Sequence, residues 1–188
     1  MGYFATAGHF LLSTLFGLLI YAVLLRFLLQ QVRADFYNPV AQFLVTVTNP
    51  LLKPLRRIIP GLFGIDLASL VLLVLLELVL QSLLALLSNL PLSTTFLLVK
   101  SAYALLNSVL VLYLIAILVV VILSWVNPYP NALSHLFSRL TAPLLRPARQ
   151  LLPSNAGIDF SPMLVTLVLI LLQMAVPYLE RATFEFLY

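Results

Sequence analysis

Residues 48–66 read TNPLLKPLRRIIPGLFGID, and residues 141–159 read TAPLLRPARQLLPSNAGID. The two stretches align without a gap, share ten of nineteen residues and lie 93 positions apart in a chain of 188. Both are rich in proline and basic residues, and both interrupt sequence dominated by leucine and valine. A segment that recurs half a chain later marks a tandem duplication. Whatever it does in the fold, it does twice.

The surrounding sequence sets the class. The chain is 63% hydrophobic and 9% charged, with a mean hydropathy of +1.13. A soluble domain is about half apolar and about a quarter charged, so this chain has too little polar side chain to cover a water-facing surface. Four windows, at 8–29, 67–88, 102–125 and 161–179, reach the roughly 20 apolar residues that cross a hydrocarbon core about 30 Å thick. Shifting the first pair by 93 residues lands on the second pair. The expected fold is an all-α integral membrane protein of four transmembrane helices, built as two parallel tandem repeats over 1–92 and 93–188. Each repeat carries a short amphipathic interfacial elbow between its spans, at 31–66 and 127–159. An even number of spans per repeat gives both the same orientation, related by a pseudo-two-fold axis along the membrane normal. The first 25 residues lack a basic leader region, so the first apolar window is expected to stay as a span. The opening MGYFAT also fits a myristoylation pattern, a short and unspecific match.

Charge placement suggests the orientation. Arg26, Arg33, Lys53, Arg56, Arg57, Arg139, Arg146 and Arg149 fall on the elbow side, and only Lys100 and Arg181 on the other. Cytoplasmic loops carry the excess of basic residues, so elbows on the cytoplasmic side, or on the equivalent side in an organelle, and outside termini are expected. The net charge of +4 comes from these span-flanking residues. That is the pattern of headgroup contact, and no direct nucleic-acid partner is expected. There is no cysteine, which excludes disulfides, iron–sulfur ligation and thioether attachment of haem to this chain.

Within the elbows, Pro50, Pro54 and Pro60, and Pro143, Pro147 and Pro153, are expected to prevent one continuous helix, because proline lacks the amide donor and clashes with the preceding turn. Ahead of them, VAQFLVTV and LSHLFSRL read as short amphipathic helices. A second helical turn is expected to start at Pro50 or Pro143, carrying Lys53, Arg56, Arg57, Arg146 and Arg149. These five form a candidate surface for anionic lipid headgroups or an acidic partner; the plainer reading is orientation and snorkelling alone. Gly64 and Gly157 permit tight turns. Asp66 and Asp159 either cap the next helix or pair with Arg56 and Arg149.

Glu77 lies 11 residues beyond Asp66, which at about 1.5 Å per residue places it near mid-membrane, where an ionisable group is a functional candidate by default. Gln81 follows one turn later. The pair is read as an ion or proton pathway, or as a protonated carboxyl hydrogen-bonded between helices or at an oligomer interface. Its repeat counterpart is Ile170, so the site is not duplicated. His9 and His135 are expected on opposite faces, too far apart to clamp one group, and no cofactor or metal is expected. No Ser–His–Asp set or phosphate loop is evident, and the chain reads as non-enzymatic.

The DFYNP turn at Asp35–Pro39, the basic segments Pro50–Pro60 and Pro143–Pro153, and the GID-led entries at Gly64–Ser69 and Gly157–Pro162 resemble the YggT family. The resemblance covers about residues 10–180. It implies a small multi-pass membrane protein of bacteria or plastids. Bacterial members are linked to osmotic and ion stress and to cell-division gene neighbourhoods; plastid members are linked to haem attachment on a thylakoid cytochrome and to nucleoid distribution. The copies differ: Gln150 stands for Arg57, and Pro162 for Ser69. The preferred expectation is a scaffold or assembly factor docking on lipid and other membrane proteins. The rival is an ion- or solute-handling homo-oligomer assembled around Glu77.

Overall fold

In the computed structural model the described residues are 2–62, 64–90, 92–126, 129, 131–151 and 159–187. They form six helices: α1 (Tyr3–Gln31), α2 (Pro39–Ile58), α3 (Leu67–Ser88), α4 (Thr94–Val126), α5 (Ala132–Leu151) and α6 (Ser161–Leu187). Helices α1, α3, α4 and α6 are long and apolar enough to cross a membrane. Helices α2 and α5 are amphipathic and join them, so the order long, amphipathic, long occurs twice.

Helix α1 packs along α3, and α4 along α6; α3 against α4 joins the halves. In the first half, Ile20, Val23 and Leu24 of α1 meet Leu72, Leu73 and Leu80 of α3, together with Leu52 of α2. In the second, Leu110 and Ile117 of α4 meet Val165, Leu169 and Val176 of α6, with Leu145 and Ala148 of α5. A third cluster lies at the junction of the halves, where Leu29, Ala41 and Leu44 meet Ala116, Leu136 and Leu140. Large apolar side chains also cover the outside, among them Leu75, Leu118 and Leu171, as they must if the surrounding solvent is hydrocarbon.

The prolines do not divide the elbows. Helix α2 runs unbroken through Pro50 and Pro54, and α5 through Pro143 and Pro147. An interior proline costs about 3 kcal/mol by propensity, so packing must outweigh it. Ala41, Leu44, Thr48 and Leu52 are buried along one stripe that continues past Pro50, and Leu136, Leu140, Leu145 and Ala148 form the matching stripe of α5. Each fully buried leucine contributes about 1.5–3 kcal/mol, and a break at the proline would expose Leu52 in α2, or Leu145 and Ala148 in α5.

Helices α1, α4 and α6 also exceed their apolar windows. Helix α4 starts at Thr94 and α6 ends at Leu187, because the two zip together beyond the apolar core. Lys100 pairs with Glu180 at 2.8 Å, the Tyr103 and Thr183 hydroxyls lie 2.7 Å apart, and Phe96 stacks on Phe184. Gly64 takes φ +81° in the turn before α3, as its place in the GID motif suggested. Gly157, Pro153 and most of the NPYP motif lie outside the described residues.

Candidate functional site at the elbow face

The turn from α2 into α3 is closed by one carboxylate. Asp66 is the N-cap of α3, accepting hydrogen bonds from the Ser69 backbone N–H at 3.3 Å and the Ser69 hydroxyl at 2.6 Å. Its other role is an ion pair with Arg56 near the end of α2. The two readings of Asp66 are therefore not exclusive: one group caps a helix and locks the elbow. Burial by itself would raise the Asp66 carboxyl, but the hydrogen bonds from Arg56 and Ser69 outweigh it and hold the group below its ordinary value.

The second elbow repeats the device. Arg149 Nε lies 2.9 Å from Asp159, which also accepts from the Ser161 backbone N–H at 2.9 Å. Desolvation again opposes ionisation, and the hydrogen bonds from Ser161 and Arg149 again lower the carboxyl. The environments differ: the Asp66 side chain is 7% exposed and the Asp159 side chain 43%.

Arg26, one of the elbow-side basic residues, holds the elbow itself. It lies within α1, 4% exposed. Its Nη1 donates to the Thr48 hydroxyl at 2.5 Å, the Asn49 side-chain oxygen at 3.0 Å and the Val45 carbonyl at 3.4 Å. One guanidinium thus grips the α2 turn just ahead of Pro50. Sequence reasoning missed this clamp, although the signal was present: a lone arginine inside an apolar run, and a Thr-Asn pair before the proline. The second elbow has no equivalent, since the counterparts of Arg26 and Asn49 are Val119 and Ala142.

Of the five basic residues expected at the elbow surface, Arg56 and Arg149 are engaged in the locks. Lys53, Arg57 and Arg146 are exposed and have no ion-pair partner among the described residues. Away from the elbows, Glu77 is 3% exposed inside one chain, and Gln81 Nε2 donates to its carboxylate at 3.2 Å. No cation lies within ion-pair distance of it among the described residues. His9 is exposed in α1 and His135 exposed in α5.

Sequence reasoning also did not reach a cleft of about 510 Å³ where the halves meet. It is lined by Arg33, Asp35, Asn38, Asn131, His135 and Arg139, among others. Asn38 caps α2 by accepting from the Val40 N–H at 2.8 Å and reaches across to donate to the Ala132 carbonyl at 2.6 Å. Arg139 donates to the Arg33 carbonyl at 3.1 Å. Only folding brings these residues together, because the two sides of the cleft are about a hundred positions apart in the chain.

Comparison with known proteins fits this layout. The chain is 48% identical over 174 residues to an uncharacterized protein of Pseudomonas aeruginosa, covering 91% of this chain and 88% of the relative. It is 39% identical over 175 residues to the uncharacterized protein YggT of Escherichia coli K12, covering 93% and 91%. A protein of Vibrio alginolyticus is 42% identical over 161 residues, covering 81% and 83%. No solved structure matches. The CCB3/YggT family model matches twice, over residues 5–87 and 99–179, and with two such matches spanning most of its length the chain belongs to the CCB3/YggT family.

Proposed function

We propose that the protein is a non-enzymatic integral membrane scaffold, made of two parallel repeats in a bacterial inner membrane. Its elbows lie at the cytoplasmic surface and its termini outside. The observation that carries this reading is the rigid mounting of the elbows. Each amphipathic helix buries one stripe and ends in an Arg–Asp lock, leaving Lys53, Arg57 and Arg146 exposed on a fixed frame. Such a frame presents positive charge to anionic headgroups, or to an acidic partner, without first ordering a loop. Roles in osmotic stress, assembly or cell division would follow from what docks there.

Orientation is tested with single cysteines, since the chain has none of its own. With impermeant maleimide in intact cells, Ser93→Cys labels and Ser138→Cys does not; the reverse pattern would invert the assignment.

A second reading rests on Glu77, a carboxyl buried in the apolar core with Gln81 as its hydrogen-bond partner. As a scaffold, the protein gives no proton, Na⁺ or K⁺ flux in proteoliposomes, and Glu77→Gln changes neither folding nor lipid binding. Saturable wild-type flux that Glu77→Gln eliminates would replace the scaffold reading with ion handling.

A further inference from the structure

We propose that the cleft between the two halves binds the phosphate of an anionic glycerophospholipid headgroup, with Arg33 and Arg139 as its ligands. The inference deepens the scaffold reading and rests on the elbow face meeting a bilayer surface. The first observation is that two arginines from separate elements line one cleft. Arg33 comes from the α1–α2 connection and Arg139 from α5, yet the Arg139 guanidinium is 3.1 Å from the Arg33 carbonyl. Neither arginine has a carboxylate within ion-pair distance among the described residues, whereas Arg56, Lys100 and Arg149 each do. Among the described residues, the one carboxylate lining the cleft, on Asp35, accepts the Tyr37 backbone N–H at 2.9 Å. Two cations converging on one space with so little compensation favour an anion between them.

Arg33 holds φ +50° as the left-handed cap that ends α1, with the Ala34 N–H donating back to the Leu29 carbonyl at 2.9 Å. At about 510 Å³ the cleft falls within the size range of small-ligand sites. Guanidinium forks match the geometry of a phosphate diester better than a lysine does.

Depth selects a lipid rather than a soluble phosphate. Arg33 stands two residues past the end of the apolar helix α1, and Tyr37 on the rim is 89% exposed. At the matching end of α4, Trp125 and Tyr129 are 86% and 79% exposed. Exposed aromatic side chains near the corresponding ends of α1 and α4 match the belt found at headgroup level. A phosphodiester there lies within reach of both arginines while its acyl chains run down the apolar outer face.

The test is thermal unfolding of the full chain in a maltoside detergent, with phosphatidylglycerol, phosphatidylcholine or inorganic phosphate added. Phosphatidylglycerol raises the midpoint of the wild type by several degrees through mass action, and the two other additions leave it unmoved. Arg33→Gln combined with Arg139→Gln removes most of that shift and lowers the lipid-free midpoint only slightly, since both side chains are exposed and only the Arg139 hydrogen bond to the Arg33 carbonyl is lost. Arg33→Lys combined with Arg139→Lys restores only part of it. Lys53→Gln, Arg57→Gln and Arg146→Gln together remove a smaller part of the shift than the cleft pair does. If instead the elbow triple removes the shift and the cleft pair keeps it, the cleft assignment is overturned while the basic elbow surface stands. An equal response to inorganic phosphate would overturn the lipid as ligand. No response to phosphatidylglycerol would overturn both.

Discussion

The first elbow, α2 with its turn into α3, and the second, α5 with its turn into α6, are built on the same motif, with two prolines inside each helix and an Arg–Asp lock behind it. Their surroundings separate them. Around the first lock, Asp66 is nearly sealed and Arg26 grips the helix from α1; around the second, Asp159 is open and Val119 replaces the arginine. The second half is instead tied at its far end, by Lys100 to Glu180 and Tyr103 to Thr183. The first half has Ala7, Phe10, Leu87 and Leu90 at the corresponding positions. Duplication copied a motif, and divergence then placed the polar fastening of each half at an opposite end.

The sharpest way to break this comparison is Arg26→Ala. It removes a donor shared by three oxygens, and hydrogen bonds from a charged group contribute about 1.5–3 kcal/mol each. A loss of about 3 kcal/mol is expected, seen as a fall of about 6–12 °C in melting temperature. Val119→Ala costs about 1 kcal/mol by the same measurement, for lost apolar packing alone. Equal losses at the two positions would show that the clamp holds nothing.

The locks come next. Asp66→Asn is expected to cost about 2 kcal/mol, since it loses a buried charge-assisted pair, and Asp159→Asn under about 1 kcal/mol, the usual range for exposed pairs. In a cycle with Arg56→Gln, the double variant loses less than the sum of its singles, and strict additivity would leave Asp66 as a cap only.

Acid titration sharpens the same contrast. Both carboxyls sit below their ordinary value of about 3.8 when folded. A depressed folded value means that each contribution is complete above the ordinary value and is lost as pH falls through the folded one. Stability from the locks is therefore flat near neutrality and declines below about pH 3.8. Asp66→Asn removes more of that acid-dependent loss than Asp159→Asn does, as read from melting temperature against pH. The smallest expected difference is between caps. Asn38→Ala costs about 1–2 kcal/mol and Asn131→Ala about 1 kcal/mol, because Asn38 alone also bridges the halves.

Much of the fold was legible because the relevant signals are linear. Apolar runs of fixed length, a repeated proline-rich segment and a GID turn specify helices, an elbow and a cap without knowledge of neighbours. The limits of α3 coincide with the expected 67–88 window for this reason. Helices α4 and α6 overran their windows because their extra turns are stabilised by each other, a contact between residues 80 positions apart. The prolines misled in the same way, as local propensity forbids what a buried stripe on both sides of Pro50 enforces.

By itself the sequence determined the number of long apolar helices, the duplication, and the residues from which the locks are made, since these follow from hydropathy, spacing and the chemistry of a carboxylate before a helix. Only the tertiary structure decided that Arg26 is a buried clamp, that Asp66 is sealed while Asp159 is open, and that Arg33 and Arg139 share one cleft. Burial and charge proximity depend on which faces meet across helices, and hydrophobic patterns that bury a face equally well against several neighbours do not say which one it will find.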